Sequence, residues 1–314
     1  MQLVCRSLFC LRLPCVFADI GSLLLVWALL KNHARKTKSI VLLMLALCPA
    51  SIMISGFHGN SDPVMIFLVL LSIYLLERRK STVVSGLVFG LALSVKVVPL
   101  IFVPAFLLYL STLRSRAIFV ITAIAVFVLG GMPYVLLDPR IITLKVFGYS
   151  SYYGVWGWTR FLSTVLGPAS SSHPSGVHAA LNVGGKILLL VSICALCFWM
   201  NNRKEKPSLF TQCGAVAFLF MALTPGFGIQ YLSWCIPFVL VLGIGPTLIF
   251  YLASGVFLFI DYDCWSWWPN QPAYCLTRIP SFASLLCWIS IVVVVMIYRR
   301  MLTNDVSELA NISP

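Results

Sequence analysis

Charged residues are scarce in this sequence, and acidic residues are the scarcest. Of 314 residues, 22 are Lys or Arg and 9 are Asp or Glu. Charged residues therefore make up 10% of the chain, whereas soluble globular domains carry about 25%. Hydrophobic residues make up 60%, and the mean hydropathy is +0.98. The shortage of charge excludes an ordinary soluble domain and indicates a polytopic integral membrane protein.

Three further features are missing. No long polar insertion separates the apolar runs, so we predict a single membrane domain over residues 1–314. No basic tract or basic amphipathic face is present, so the net charge of +13 does not predict nucleic-acid binding. No internal repeat is evident and polar groups are rare inside the apolar runs, which disfavours a transporter.

The apolar runs predict an all-α protein with about eleven transmembrane helices. Several runs are shorter than the ~20 residues that a perpendicular helix needs, so their ends are expected to extend into the turns. The predicted spans are 14–31, 39–55, 63–77, 81–95, 97–112, 116–137, 184–200, 208–224, 229–243, 246–261 and 281–298.

Short clusters of Lys and Arg occupy alternate connections between these spans, which is the pattern of cytoplasmic loops. The clusters lie at 31–38, 78–80, 114–116 and 203–206 and in the tail 299–314. The exterior connections are then 56–63, 138–183, 224–230 and 261–280. Residues 1–13 also fall outside, with no preceding helix to carry them there. We therefore expect either unaided translocation of this end or the lack of an initial helix.

The turn Gly56–Pro63 is the most polar of the short connections. It contains His58, Asn60 and Asp62, between two long runs without a charged side chain. An ionisable group left in hydrocarbon costs several kcal/mol, so this turn must meet water, a ligand or another polar group. Helix capping by Ser61 or Asp62 would explain part of the motif. It would leave His58 without a role.

Two other exterior segments each contain a cation of interest. Lys96 lies at the end of a span, where its side chain either snorkels to the interface or meets an anion such as a lipid phosphate. The stretch 149–160 holds Tyr153, Trp156 and Arg160 among its residues. It suits a helix lying in the membrane interface. It also suits stacking on a sugar, with Arg160 holding a phosphate.

A glycine-rich segment, Thr224–Trp234, leads into a later span. Gln230, Tyr231 and Trp234 are predicted to share one helical face. They would either anchor the span at the interface or face a ligand.

No metal site or cofactor is expected from the cysteines, histidines and paired acids. The C-x-x-C of Cys194 and Cys197 lies in an apolar run and is predicted to be buried. His173 and His178 lack acidic companions, and the D-x-D at 261–263 is too short a match to predict metal binding. Cys264 and Cys275 both fall in an exterior loop, where they either pair or remain reduced.

Three stretches together resemble a known family. The run from Gly56 to Tyr109 contains G-F-H-G-N-S-D-P and S-G-L-V-F-G-L-A-L-S-V-K-V-V-P-L. It is similar to membrane-embedded GT-C glycosyltransferases that use polyprenyl-phosphate sugars, closest to their mannosyltransferase-like branch. Thr224–Pro237 resembles a segment near the carboxyl end of that group, and Leu13–Ile20 resembles its second helix.

The resemblance implies transfer of mannose or another hexose from a polyprenyl-phosphate donor to a glycan or glycolipid acceptor. The reaction would take place on the periplasmic or lumenal side of a bacterial inner membrane or an ER membrane. The acidic catalyst of the family lies in its first exterior loop, which has no counterpart here. We therefore expect donor binding with poor turnover, or a non-catalytic subunit or degenerate homologue. Asp62 is the fallback catalytic base, and the predicted substrate-binding residues are His58, Asn60, Lys96, Tyr153, Trp156, Arg160, Gln230, Tyr231 and Trp234.

Overall fold

The computed structural model describes residues 8–30, 35–142, 151–167, 169, 172–267 and 280–303. In the first half the elements are α1 Leu8–Leu29, α2 Arg35–Ala46, α3 Pro49–Ser51, a π-helix Ile52–His58, α4 Asp62–Glu77, α5 Thr82–Val95, a 3-10 helix Val98–Phe102, α6 Val103–Tyr109, α7 Leu113–Leu137 and α8 Pro139–Ile142. In the second half they are β1 Tyr152–Tyr153, α9 Gly157–Leu166, α10 Gly176–Asn201, α11 Leu209–Leu223, β2 Gly226–Phe227, 3-10 helices Ile229–Trp234 and Val239–Leu242, α12 Ile244–Trp267 and α13 Pro280–Thr303.

The helical membrane architecture is confirmed, but the predicted count of about eleven spans is not. Among the described residues, 6 helical segments are long and apolar enough to cross a membrane. They are Arg12–Leu29, Arg35–His58, Leu113–Leu137, Gly176–Asn201, Ile244–Tyr262 and Phe282–Thr303. The other apolar helices, including α4, α5 and α11, are shorter than the ~20 residues of a perpendicular span.

The predicted span 229–243 is not an α-helix. The backbone there forms two short 3-10 helices and ends at Gly243, whose φ of 87° is in the left-handed region. Pro237 lies between the two and cannot donate a helical hydrogen bond. Every residue from Tyr231 to Leu240 is buried. Irregular backbone is tolerated at membrane depth when protein covers it, which is the case here.

Two other span boundaries differ from the prediction. The span expected at 39–55 is broken at Cys48, where the backbone is extended before Pro49 restarts the helix. Proline disfavours helical backbone in the residue before it, which accounts for the break. The span expected to begin at residue 184 begins instead at Gly176, within the predicted exterior loop.

The core is built around α4 and α11, which lie inside the bundle. Most side chains of both helices are buried, including polar Asp62 in α4 and Gln212 in α11. In contrast, Phe119 and Ala123 are the buried residues of α7, and most of its remaining apolar side chains are exposed. A helix that is apolar all round and exposed on most sides suits contact with lipid. The fold therefore places polar groups in its interior and hydrocarbon on its surface.

Small residues let α5 approach its neighbours closely. A side chain at Gly90 would place Cβ 2.5 Å from the backbone oxygen of Ala123 in α7. Gly86 is similarly close to the α7 backbone at Phe119. These two glycines form a G-x-x-x-G pattern, which is common at helix contacts in membranes. The close packing fixes the end of α5, where Lys96 follows.

The helix ends that carry the basic clusters meet at one end of the bundle. Arg78 Nη2 donates a 2.6 Å hydrogen bond to the carbonyl oxygen of Leu29 at the end of α1. The neighbouring Glu77 carboxylate accepts hydrogen bonds from the backbone N–H groups of Leu209 and Phe210 at the start of α11. These contacts satisfy helix ends that otherwise lack partners. The polar turn and the aromatic segments lie at the opposite end.

We predict that Gly90→Val destabilises the α5–α7 contact, because the added side chain must displace backbone. The expected cost is about 1–3 kcal/mol, the usual range for overpacking. Thermal unfolding of the purified protein in detergent should show a lower midpoint for this variant. The matched control is Gly184→Val in α10, where nothing lies within 4 Å of the added Cβ. Equal midpoints for the two variants would contradict the packing described here.

Candidate active site

The polar turn has a defined backbone that depends on glycine and asparagine. The π-helix ends at Gly59, whose φ of 68° is in the left-handed region. Asn60 then accepts a 3.1 Å hydrogen bond at Oδ1 from the backbone N–H of Asp62, the first residue of α4. The Ser61 side chain makes no capping hydrogen bond. The amide of Asn60 therefore takes the role that the sequence assigned to Ser61 or Asp62.

An ion pair between Asp62 and Lys96 is the centre of this region. Lys96 Nζ lies 2.5 Å from Asp62 Oδ1 and donates a 3.3 Å hydrogen bond to Asn60 Oδ1. The Asp62 side chain is 0% exposed and that of Lys96 is 28% exposed. Lys96 therefore does not simply snorkel to the interface, since it binds a buried carboxylate. Protein covers the Lys96 side chain only in part.

Two side chains from distant parts of the chain complete the surroundings of the ion pair. The indole N–H group of Trp234 lies beside the Asp62 carboxylate, although it has no hydrogen bond of standard geometry with any described residue. The Arg12 side chain from α1 lies over Gly59, because a Cβ there would be 3.0 Å from Arg12 Cγ. Arg12 was not among the predicted site residues. The feature that could have identified it is a positive charge in an otherwise apolar run.

A short β ladder connects the two aromatic segments that the sequence treated separately. Tyr152 and Tyr153 of β1 pair antiparallel with Phe227 and Gly226 of β2. The indole N–H of Trp158 donates a 2.8 Å hydrogen bond to the backbone oxygen of Leu223 just before β2. The segment that begins at Tyr152 is therefore attached to the end of α11.

An aromatic wall, formed by Trp156, Phe227, Tyr231 and Trp234, runs from this ladder to the ion pair. Trp156 and Phe227 are parallel, with ring centroids 4.0 Å apart. Phe227 contacts Tyr231 edge to face, and Tyr231 stacks on Trp234 at 4.2 Å. Trp156 Nε1 donates a 2.9 Å hydrogen bond to the backbone oxygen of Met221. The predicted site residues Trp156, Tyr231 and Trp234 thus lie in one continuous set of contacts.

Burial changes how two of the predicted residues can act. Tyr153 and Trp156 are both 0% exposed, so in this conformation protein covers their ring faces. Stacking of a sugar on these rings needs an open face, which they do not present. Trp156 is a buried part of the aromatic wall, and Tyr153 belongs to the β ladder beside it. The expected interfacial helix is present just after them as α9, which exposes Phe161 and Val165 on one side.

The remaining predicted residues lie at the edge of the region. His58 is exposed, and its Nδ1 is 3.1 Å from the hydroxyl of Tyr262. Gln230 is half-buried and its side chain folds back over Gly228. Arg160 is half-buried on α9, and burial lowers the pKa of its guanidinium from the ordinary value. A desolvated cation is stabilised by a nearby anion.

Some predictions concern residues that the structure does not describe. Cys275 and the side chain of Cys264 lie outside the described residues, so their pairing stays a prediction. The side chain of Asp263 also lies outside them, while Asp261 is buried near the end of α12.

A cavity of about 290 Å³ adjoins the polar turn. Asp19 of α1 lines it together with Ser51 and Ser55, and Gly56 and Pro63 form its border with the turn. Asp19 is the acidic residue of the predicted span 14–31, whose other residues are mostly apolar.

Comparison with known proteins agrees with this picture. The model of glycosyltransferase family 87 matches residues 12–225, which include the turn, Lys96 and the segment around Trp156. GPI mannosyltransferase 1 of Debaryomyces hansenii is 40% identical over 55 residues, which are 18% of this chain and 13% of that protein. GPI mannosyltransferase 1 of Candida albicans is 25% identical over 150 residues, which are 47% of this chain and 37% of that protein.

These alignments span well under half the length of either curated relative. No solved structure matches the chain. The resemblance to membrane glycosyltransferases that the sequence motifs carried is confirmed by the family model. Since that match covers more than half of the sequence, the chain belongs to glycosyltransferase family 87.

Proposed function

We propose that this protein transfers mannose from a polyprenyl-phosphate donor to a hydroxyl group of a glycan or glycolipid. The observation that carries the proposal is the partly exposed side chain of Lys96, whose ammonium is held against Asp62 and Asn60 at one end of a membrane bundle. The names of the curated relatives favour mannose as the sugar. Displacement at the anomeric carbon releases a polyprenyl phosphate, whose developing charge needs cations or hydrogen-bond donors.

The local charge balance favours an anion at this site. Lys96 and Arg12 contribute two positive charges around the turn, and Asp62 contributes one negative charge. An incoming phosphate would therefore meet a net positive region even though one cation is already paired. The ammonium is a compact charge with rotatable donors, so it can contact a phosphate while keeping its bond to Asp62. Arg160, on α9, is the second predicted phosphate ligand.

The structure changes the role that we assign to Asp62. A general base must come within hydrogen-bond reach of the acceptor hydroxyl. The Asp62 carboxylate is fully buried and is occupied by Lys96. We therefore propose that Asp62 positions the ammonium of Lys96 and does not take the acceptor proton. Substrate contacts would come from side chains with open faces, namely His58, Asn60 and Gln230, with Tyr231 and Trp234 shaping the wall.

The distribution of basic residues also predicts how the protein is oriented in the membrane. Basic loops face the cytoplasm in most membrane proteins. The contacts of Arg78 and Glu77 gather the basic helix ends at the end of the bundle opposite Lys96. We propose that the Lys96 end faces the periplasm or the lumen, where lipid-linked mannose would be used.

The first prediction tests whether Lys96 binds donor or only compensates Asp62. Lys96→Gln leaves a buried carboxylate unpaired, which typically costs about 3–5 kcal/mol. We expect both a lower unfolding midpoint and weaker binding of polyprenyl-phosphate mannose. The double variant Asp62→Asn/Lys96→Gln has no unpaired charge, so most of the midpoint should return. Donor binding should stay weak because the cation is still absent.

The double variant is decisive because it separates stability from binding. Donor titration and thermal unfolding are measured on the same nanodisc samples. Wild-type donor affinity in the double variant would assign Lys96 a structural role alone.

The second prediction concerns Arg160. Arg160→Gln should weaken donor binding by more than the ~0–1 kcal/mol expected for loss of an exposed charge pair. Arg114→Gln is the matched control, because Arg114 is an exposed arginine near the start of α7. Its donor affinity should equal that of the wild type. If the two variants bind donor equally well, Arg160 is an interfacial anchor and not a phosphate ligand.

A further inference from the structure

A second polar cluster lies next to the turn, inside the apolar part of the bundle. Ser51 Oγ donates a 2.6 Å hydrogen bond to Asp19 Oδ2. Ser55, one helical turn later, also lies beside this carboxylate. Its hydroxyl has no hydrogen bond of standard geometry with any described residue, and the residue is 2% exposed. A buried polar group without a hydrogen-bond partner is destabilising, so this hydroxyl is suited to a ligand.

The cluster has room for a ligand. It lines the 290 Å³ cavity between α1, the segment from α3 to the π-helix, the start of α4 and the irregular segment that follows β2. This volume is near the lower end of the ~300–1,000 Å³ range of ligand sites, enough for one small headgroup. Most of the wall is apolar, and Val16, Ile20 and Ile52 continue it onto the exposed surface of the bundle. A ligand with a hydrocarbon tail fits this combination.

The cavity shares a wall with the site of Lys96. Pro63 and Ser233 line the cavity, and they are the chain neighbours of Asp62 and Trp234 respectively. The first turn of α4 and the 3-10 helix before Cys235 therefore separate two subsites. The first subsite contains the partly exposed side chain of Lys96. The second contains the carboxylate of Asp19.

We infer that the Asp19 cavity binds the sugar acceptor, as the neutral, hydroxyl-rich headgroup of an amphiphilic molecule. The inference rests on the proposed function, because only a transferase needs a second substrate beside the donor phosphate. Asp19 can only accept hydrogen bonds when ionised, whereas Ser55 can donate or accept. A polyol matches both, since each of its hydroxyl groups is a donor and an acceptor. An anionic headgroup would be repelled by Asp19 and is directed to Lys96.

Photo-crosslinking tests this inference without requiring turnover. The probe is octyl mannoside with a diazirine in its alkyl chain, added to the full chain in nanodiscs. Labelled peptides should come from 16–23 and 45–56, and excess octyl mannoside should compete with the label. Asp19→Asn should lower this competable labelling about fivefold or more, because hydrogen bonds to a charged acceptor are roughly twice as strong as neutral ones. Ser55→Ala, which keeps the carboxylate, should lower it as well.

Two controls test whether labelling depends on Asp19 and on the sugar headgroup of the probe. Asp138→Asn changes a half-buried carboxylate at the end of α7, which does not line the cavity, and should label like the wild type. An octane diazirine without hydroxyl groups should label wild type and Asp19→Asn equally. No labelling, labelling of other peptides, or equal competable labelling in Asp19→Asn and wild type would overturn the inference.

Binding of polyprenyl-phosphate mannose to the same samples separates this inference from the proposed function. Asp19→Asn should bind that donor as the wild type does. Failure of the wild type to bind donor would refute the proposed function, while the mannoside labelling would still decide the nature of the cavity.

Discussion

The ion pair of Asp62 and Lys96 determines the geometry of the polar end of this protein. It joins the start of α4 to the residue that follows α5, and Asn60 contacts both partners. A buried ion pair adds little net stability, because desolvating the charges offsets most of their attraction. Its effect here is on position. It holds the ammonium of the partly exposed Lys96 side chain at a fixed place. An unpaired charge would be costly in this part of the membrane domain.

Around this pair, charge and shape divide the region into two parts. Cations from Lys96 and Arg12 lie on the turn, whereas the carboxylate of Asp19 lies in the neighbouring cavity. The aromatic wall adjoins the turn and is held by the β ladder to α11. A donor phosphate and a neutral acceptor would thus be drawn to different places that are separated by one helical turn and a short 3-10 segment. The two places are adjacent, which suits a two-substrate transferase because its reacting groups must be held close together.

The sequence predicted the features that depend on local pattern. Apolar runs identified most helices, and the alternation of basic loops predicted that Lys96 and the aromatic segments lie at one end. The polar turn at Gly56–Pro63 was identified because several polar groups are concentrated there. Such signals need only neighbours in the chain.

The features that depend on tertiary packing were not predicted. The pairing of Asp62 with Lys96 joins two motifs for which separate roles were predicted, and the wall joins segments on either side of α10 and α11. The run 229–243 has helical hydropathy but adopts 3-10 structure, since Pro237 interrupts it and the core covers it. The role of Asp19 could not be predicted, because its hydrogen-bond partner Ser51 lies in a different helix.

The most direct test of the account is a cryo-electron microscopy structure of the protein with bound polyprenyl-phosphate mannose. We expect the phosphate within about 4 Å of Lys96 Nζ, the usual limit for an ion pair. The Asp62–Lys96 contact should remain, and the mannose ring should lie toward the Asp19 cavity. A phosphate bound at the opposite end of the bundle, among Arg78 and its basic neighbours, would contradict the account.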